Sequence, residues 1–205
     1  MDSLSFAEDK NLQKDHFTAA LNKHGDSIRA VNWGSLLSQQ ARFEALLGGI
    51  PWQNTYSILD VGCGRGDLYA YAVSLLDNVD YLGVDICPDM IKLAQQKYPG
   101  IKFNVLDILT ENPGKFDYVL ACGIFSLKSP NWNLYVVEMM KGMLELCKVY
   151  CAATFLSDLT PFEKHENSYH ADPGGLFTLL AVNVSSNMVL LHNYRKNDFT
   201  VKLFK

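Results

Sequence analysis

Hydrophobic and polar positions follow two different periods along this chain, and each change of period marks an element. The first 50 residues read as helix. "FTAALNKHG" runs to Gly25, a natural helix stop. "SLLSQQARFEALLGG" starts at Ser35, a good N-cap, and stops at Gly48-Gly49 ahead of Pro51. Beyond this point short apolar runs alternate with helical stretches. "YSILDV", "VDYLGVDI", "IKFNVLDIL", "KFDYVLACGIF" and "KVYCAATFLS" read as strands, and "GDLYAYAVSLL", "CPDMIKLAQQKYPG" and "NWNLYVVEMMKGMLELC" as helices. Pro88 suits a first helical turn, and Gly100 falls just past that helix. Tyr69 and Tyr71 alternate on their helix, so at most one is expected to face the core. Strands taking turns with helices predict a parallel sheet covered on both faces. At the end the rhythm breaks. "NMVLLHNY" and "DFTVKLFK", separated by "RKN", predict an antiparallel hairpin. The expected fold class is α/β, doubly wound and mostly parallel, with a C-terminal antiparallel hairpin and an N-terminal helical cap. Residues 1–50 form the cap and 51–205 the sheet, within one domain.

Composition narrows the partners. The 205 residues are 48% hydrophobic and 20% charged, ample material for a core. The net charge of −4 and the absence of any Lys/Arg run give no electrostatic footprint for nucleic acid or an anionic membrane. "LFTLLAVNVSSNMVLL" is too broken by Asn and Ser to span a bilayer. The acidic, polar start is unlike a signal peptide. Five cysteines without a C-x-x-C pair fit reduced thiols in a cytoplasmic protein. Cys63, Cys87 and Cys122 fall near strand ends, but their spacing has no metal-ligand pattern, and no metal is expected.

The chemistry concentrates in "YSILDVGCGRGDLYAYA". A strand ends at Asp60, turns through Gly62, Gly64 and Gly66, and enters a helix. Ligands of open parallel sheets bind outside the carboxyl ends of the strands, and a glycine turn there lets a ligand press on bare backbone. The spacing is G-x-G-x-G, not the G-x-G-x-x-G of dinucleotide sites, because position 67 is aspartate. Asp60 would repel a pyrophosphate and attract a cationic ligand. The next strand ends at Asp85, about 20 residues beyond the glycines, where a carboxylate reads a ribose diol. Ile86 follows and could lie against a flat base. The third strand presents Asp107, able to accept from an exocyclic amine. The fourth ends in the small residues Ala121, Cys122 and Gly123.

"ILDVGCGRGDL", "YLGVDICPDMI", "FNVLDIL" and "FDYVLACGIF" together resemble motifs I to IV of the class I S-adenosylmethionine-dependent methyltransferases, over about residues 50–205. The resemblance implies a Rossmann-like sheet, S-adenosylmethionine as cofactor and methyl transfer to a small-molecule acceptor. It places Asp60, Gly62, Cys63, Gly64 and Gly66 around the methionine part of the cofactor, Asp85 on the ribose, and Ile86, Asp107 and Ile108 beside adenine. Ala121 would line the pocket near the transferable methyl. Some relatives use an arginine from a segment like that of Arg42 to meet the cofactor carboxylate; the alternative for Arg42 is a solvated surface position. "ACGIF" departs from the N/D-P-P-Y/F signature of enzymes that methylate exocyclic amines of nucleobases or glutamine amides.

The long polar segment "SDLTPFEKHENSYHADPGG" begins above the expected cofactor site. It reads as a lid, closing the pocket together with the N-terminal helices, and polar enough to be mobile when empty. His165, Tyr169 and His170 are its general-base candidates. Two other classes compete: a nicotinamide-dependent dehydrogenase, opposed by Asp60 and the Gly66/Asp67 register, and a non-catalytic methyltransferase-like binding subunit. The acceptor atom and the oligomeric state have no signature in the sequence.

Overall fold

The computed structural model describes residues 6–31, 34–51 and 54–205. Helix α1 (Ala7–His24) leads through a 3-10 turn (Ile28–Val31) to α2 (Leu36–Leu47). Then come β1 (Thr55–Val61), α3 (Asp67–Val73), β2 (Asn78–Asp85), α4 (Pro88–Lys97), β3 (Lys102–Val105) and β4 (Phe116–Ala121). The remainder is α5 (Trp132–Leu146), β5 (Cys147–Leu156), α6 (Pro173–Asn183), β6 (Met188–Arg195) and β7 (Asp198–Phe204). The strands form one sheet in the order β3-β2-β1-β4-β5-β7-β6. The first five are parallel, while β7 runs antiparallel to both β5 and β6. The expected doubly wound sheet with its C-terminal hairpin is therefore present, and the chain winds outward in both directions from β1 and β4.

Local chemistry explains the element ends. The Ser35 hydroxyl accepts from the Ser38 N–H at 3.2 Å, capping α2 as anticipated. Pro88 occupies the first turn of α4, where its missing N–H costs nothing. Helix α6 was not anticipated, although its signal is present. Asp172 accepts from the N–H groups of Gly174 and Gly175 at 3.2 and 2.8 Å, and Pro173 follows it. Helix α3 stops at Val73, short of the expected Leu76.

One face of the sheet packs Val61, Val119, Ala153 and Val201 against Trp132, Val136, Met140 and Met143 of α5 and Leu176 and Leu180 of α6. The opposite face packs Ile58, Tyr118 and Ala152 against Phe43 and Leu46 of α2, Leu68 and Ala72 of α3, and Ile91 and Ala94 of α4. Tyr69 and Tyr71 both join this second core at its edge, which corrects the expectation that only one would. They flank the buried Leu68–Ala72 stripe, Tyr69 meeting Tyr81 and Tyr98, and Tyr71 meeting Phe43. Helix α1 sits apart from both layers. Asp9 accepts from the Asn131 N–H and amide at 3.2 Å at one end, and Phe17 and Leu21 pack near Cys87 and Met90 at the other. The helix thus straddles the carboxyl ends of the strands as a cap.

Candidate active site

The glycine turn hangs from the end of β2. Gly62 and Cys63 donate to the Val84 carbonyl at 2.8 and 3.0 Å, and Gly64 donates to Asp85 Oδ2 at 2.9 Å. Asp85 Oδ1 accepts from the Cys87 N–H at 2.9 Å, starting α4. One carboxylate therefore ties the turn to the next helix. Each of its oxygens keeps a further lone pair for a ligand. Burial pushes the Asp85 carboxyl up from its ordinary value, and these N–H groups pull it back in part.

Asp60 is buried, and the Tyr81 hydroxyl donates to its Oδ2. Burial raises its carboxyl to about 7, with the nearby charges of Asp85 and Asp67 adding to the rise. Among the described residues no ion pair reaches it, and the group lines a cavity. Asp67, at the start of α3, differs. Gln39, Lys97 and Arg65 reach it at 2.7–3.1 Å and hold its carboxyl below the ordinary value despite burial.

The cavity measures about 900 Å³. Of the residues read from the sequence, Asp60, Gly62, Cys63, Gly64, Asp85, Ile86, Asp107, Ile108 and Arg42 line it. Gly66 and Ala121 do not. Gly66 has φ +79°, and a Cβ there would sit 2.8 Å from the Phe103 ring and 3.0 Å from Tyr98. It serves the packing behind the turn. Ala121 is wholly enclosed in the core, and its neighbours Cys122 and Gly123 reach the cavity instead. Asp107 is already engaged, paired with Lys10 of α1 at 2.6 Å and accepting from the Leu109 N–H at 3.0 Å. Arg42 is buried, not solvated. Its Nε and Nη2 donate to Asp198 at 2.9 and 2.5 Å, and its Nη1 to the Ser38 carbonyl and hydroxyl at 2.8 and 2.6 Å.

The far wall comes from α1, α2 and the segment 157–172, the three pieces expected to close it. That segment is less loose than its composition suggests. Ser168 bridges to Leu127 and Ala171 to Ser157, with hydrogen bonds from Tyr169 to Ser126, Lys128 to Asn167 and Asp158 to Ala171. The Tyr169 ring stacks on Trp132 with centroids 3.8 Å apart and does not line the cavity, which removes it as a base on geometric grounds. His165 and His170 do line it. His170 Nδ1 lies 3.0 Å from the Ser157 carbonyl. A carbonyl only accepts, so this contact puts the proton on Nδ1 and leaves Nε2 as the acceptor. Sequence reasoning missed Arg195, Asn197 and Asp198, which reach the cavity from the β6–β7 turn, and Thr154, Phe155 and Tyr135. Only the pairing of β7 beside β5 brings that turn to the strand ends. Among the described residues no cluster could hold a metal ion, and no helix is long and apolar enough to cross a membrane. All five cysteines are free.

A seven-stranded sheet of this order, with a glycine turn after its first strand and acids ending the first two, defines a class I methyltransferase fold. Comparison with known proteins agrees with this fold. Residues 58–148 match the model of the methyltransferase domain. A Mycobacterium tuberculosis protein, named provisionally as a methyltransferase, is 27% identical over 157 residues, covering 73% of this chain and 93% of its own. The cyclopropane-fatty-acyl-phospholipid synthase of Escherichia coli is 31% identical over 130 residues, 62% of this chain but 32% of that one. The magnesium protoporphyrin IX methyltransferase of Synechocystis, solved with bound S-adenosylhomocysteine, superposes with a TM-score of 0.67 at 17% identity, over 96% of this chain and 99% of its own. Residues 58–148 thus resemble a methyltransferase domain, and the chain as a whole has the fold of the class I S-adenosylmethionine-dependent methyltransferases.

Proposed function

We propose that this protein transfers the methyl group of S-adenosylmethionine to a small molecule held in the same cavity. The observation that supports this most is Asp60. It is a buried acid with no ion pair among the described residues, facing a cavity whose volume lies near the top of the range for ligand sites, enough for a cofactor and an acceptor together. The amino group of the cofactor's methionine part would supply the missing positive charge. The Gly62–Gly64 turn borders that part, Asp85 takes the ribose hydroxyls, and Ile86 and Ile108 border the base. Arg42 borders the methionine carboxylate while anchored on Asp198.

When bound, the sulfonium supplies an already activated methyl carbon. What remains for the chain is placement. The glycine turn and strand ends hold one partner, α1, α2 and residues 157–172 hold the other and exclude water, and alignment provides much of the rate. Where the acceptor atom carries a proton, His165 and His170, both on the cavity wall, are the candidates to take it. Calorimetric titration tests the reading. S-adenosylmethionine and S-adenosylhomocysteine bind, and NADH does not bind appreciably; tighter binding of NADH sinks it.

A further inference from the structure

Two hydrogen-bond acceptors beside the end of β5 are left unfilled by the chain, and they bear on what receives the methyl group. Resting on the methyl-transfer reading, we propose that the substrate is a neutral molecule with two neighbouring hydroxyl groups on an apolar body, one bonded to His170 Nε2 and the other to Asn197 Oδ1.

Both residues are anchored on the same residue. Ser157, wholly buried just past β5, donates its N–H to the Asn197 backbone carbonyl at 3.0 Å. Its own carbonyl accepts from His170 Nδ1, also at 3.0 Å. Asn197 and His170 both line the cavity. With the proton on Nδ1, His170 Nε2 is an acceptor, and no hydrogen bond takes it among the described residues. Asn197 Oδ1 is buried and likewise without a partner among them. A buried acceptor left unfilled costs stability, and a ligand that donates to it would relieve that cost. His165, the other histidine on this wall, is exposed.

Charge separates the possible donors. A carboxylate has no hydrogen to donate. An ammonium group would seek an unpaired carboxylate, but Asp198 is shared between Arg42 and Arg195. Glu163 and Glu166 are exposed, where water and salt screen them. Among neutral groups an amide N–H donates, yet its nitrogen lone pair is delocalised into the carbonyl and takes a methyl group poorly. A hydroxyl both donates and accepts, so it suits the Asn197 amide whichever way its oxygen and nitrogen are turned. Ile124, Leu127, Phe155 and Leu156 line the same cavity and suit an apolar body. His170 Nε2 receives the proton of its hydroxyl as that oxygen bonds to the methyl carbon. The broken carbon–sulfur bond leaves its electron pair on sulfur, so one positive charge passes from sulfonium to imidazolium and the step balances.

The test is calorimetry on protein loaded with S-adenosylhomocysteine, with a chelator present. The probes are catechol, guaiacol and veratrole, which share one body and replace the hydroxyls in turn by methyl ethers, with benzoate and benzylamine as charged controls. Expected is saturable catechol binding about tenfold tighter than veratrole, the scale of one or two hydrogen bonds, with guaiacol between them and both controls weaker than catechol. Asn197→Leu and His170→Phe keep the bulk and remove the acceptors, and each is expected to erase most of the catechol advantage. Thermal melts show whether the variants are folded, and the wild-type ranking decides by itself where one is not. No saturable catechol binding, guaiacol or veratrole equal to catechol, tighter binding of either control, or a catechol advantage that survives either substitution overturns the proposal. Failure of the wild-type protein to bind S-adenosylhomocysteine overturns the underlying reading instead, and is measured first.

Discussion

Asp60 shows how a single residue couples burial to function. Its carboxyl stands at about 7 in the folded chain against an ordinary 3.8. Below pH ~4 folded and unfolded chains both hold the proton. Between pH ~4 and ~7 the unfolded chain releases it while the folded chain keeps it, so this group's contribution to stability falls as pH rises and is lost above about 7. A cationic ligand works the other way, because it binds the ionised form. Affinity for S-adenosylhomocysteine is therefore expected to rise about tenfold between pH 6 and pH 8, and the profile should flatten in Asp60→Asn. Calorimetry across that range decides; a flat wild-type profile contradicts the role given to Asp60.

At the scale of elements, the glycine turn divides its work between two sides. Gly64 faces the cavity, whereas Gly66 faces Phe103 and Tyr98 and turns with a positive φ that side chains rarely adopt. Gly66→Val combines backbone strain with overpacking, roughly 1–3 kcal/mol each, and is expected to lower the melting temperature by several degrees. Gly64→Val meets the same strain at a φ of +53° and crowds Val31, so it should lower both the melting temperature and cofactor affinity. Equal melting temperatures for Gly66→Val and wild type would remove the packing role. The loop between β5 and α6 divides as well. The amides of Asp158, Tyr169 and Ala171 are bonded, while residues 161–167 are exposed. Hydrogen exchange should be slow at the first three and fast across 161–167, and S-adenosylhomocysteine should slow the exposed stretch. Unchanged exchange there leaves the segment an ordinary solvated connection.

At the scale of the whole molecule, α2 is welded to β7. The Arg42–Asp198 pair joins positions 156 apart in the chain, and Lys202 Nζ caps the end of α2 at the Leu46 and Gly48 carbonyls, 3.1 and 2.5 Å away. Arg42→Met strips a buried carboxylate of its main partner and should cost ~3 kcal/mol, near the low end for such losses because Arg195 remains. Denaturant unfolding checks this, and an unchanged midpoint would show Asp198 to be satisfied without Arg42. The sequence alone determined the alternation of strands and helices, the G-x-G-x-G turn between Asp60 and α3, and the spacing to Asp85. These depend on neighbours in the chain: hydrophobic period, caps, and residues that tolerate a turn. It did not show that Arg42 is buried, that Gly66 and Ala121 lie behind the cavity wall, or that Tyr169 stacks on Trp132. Nor did it bring Arg195, Asn197 and Asp198 to the strand ends. Those facts depend on which side chains meet across long separations, and for Arg42 and the β6–β7 turn it was the order of β5, β7 and β6 in the sheet that decided them.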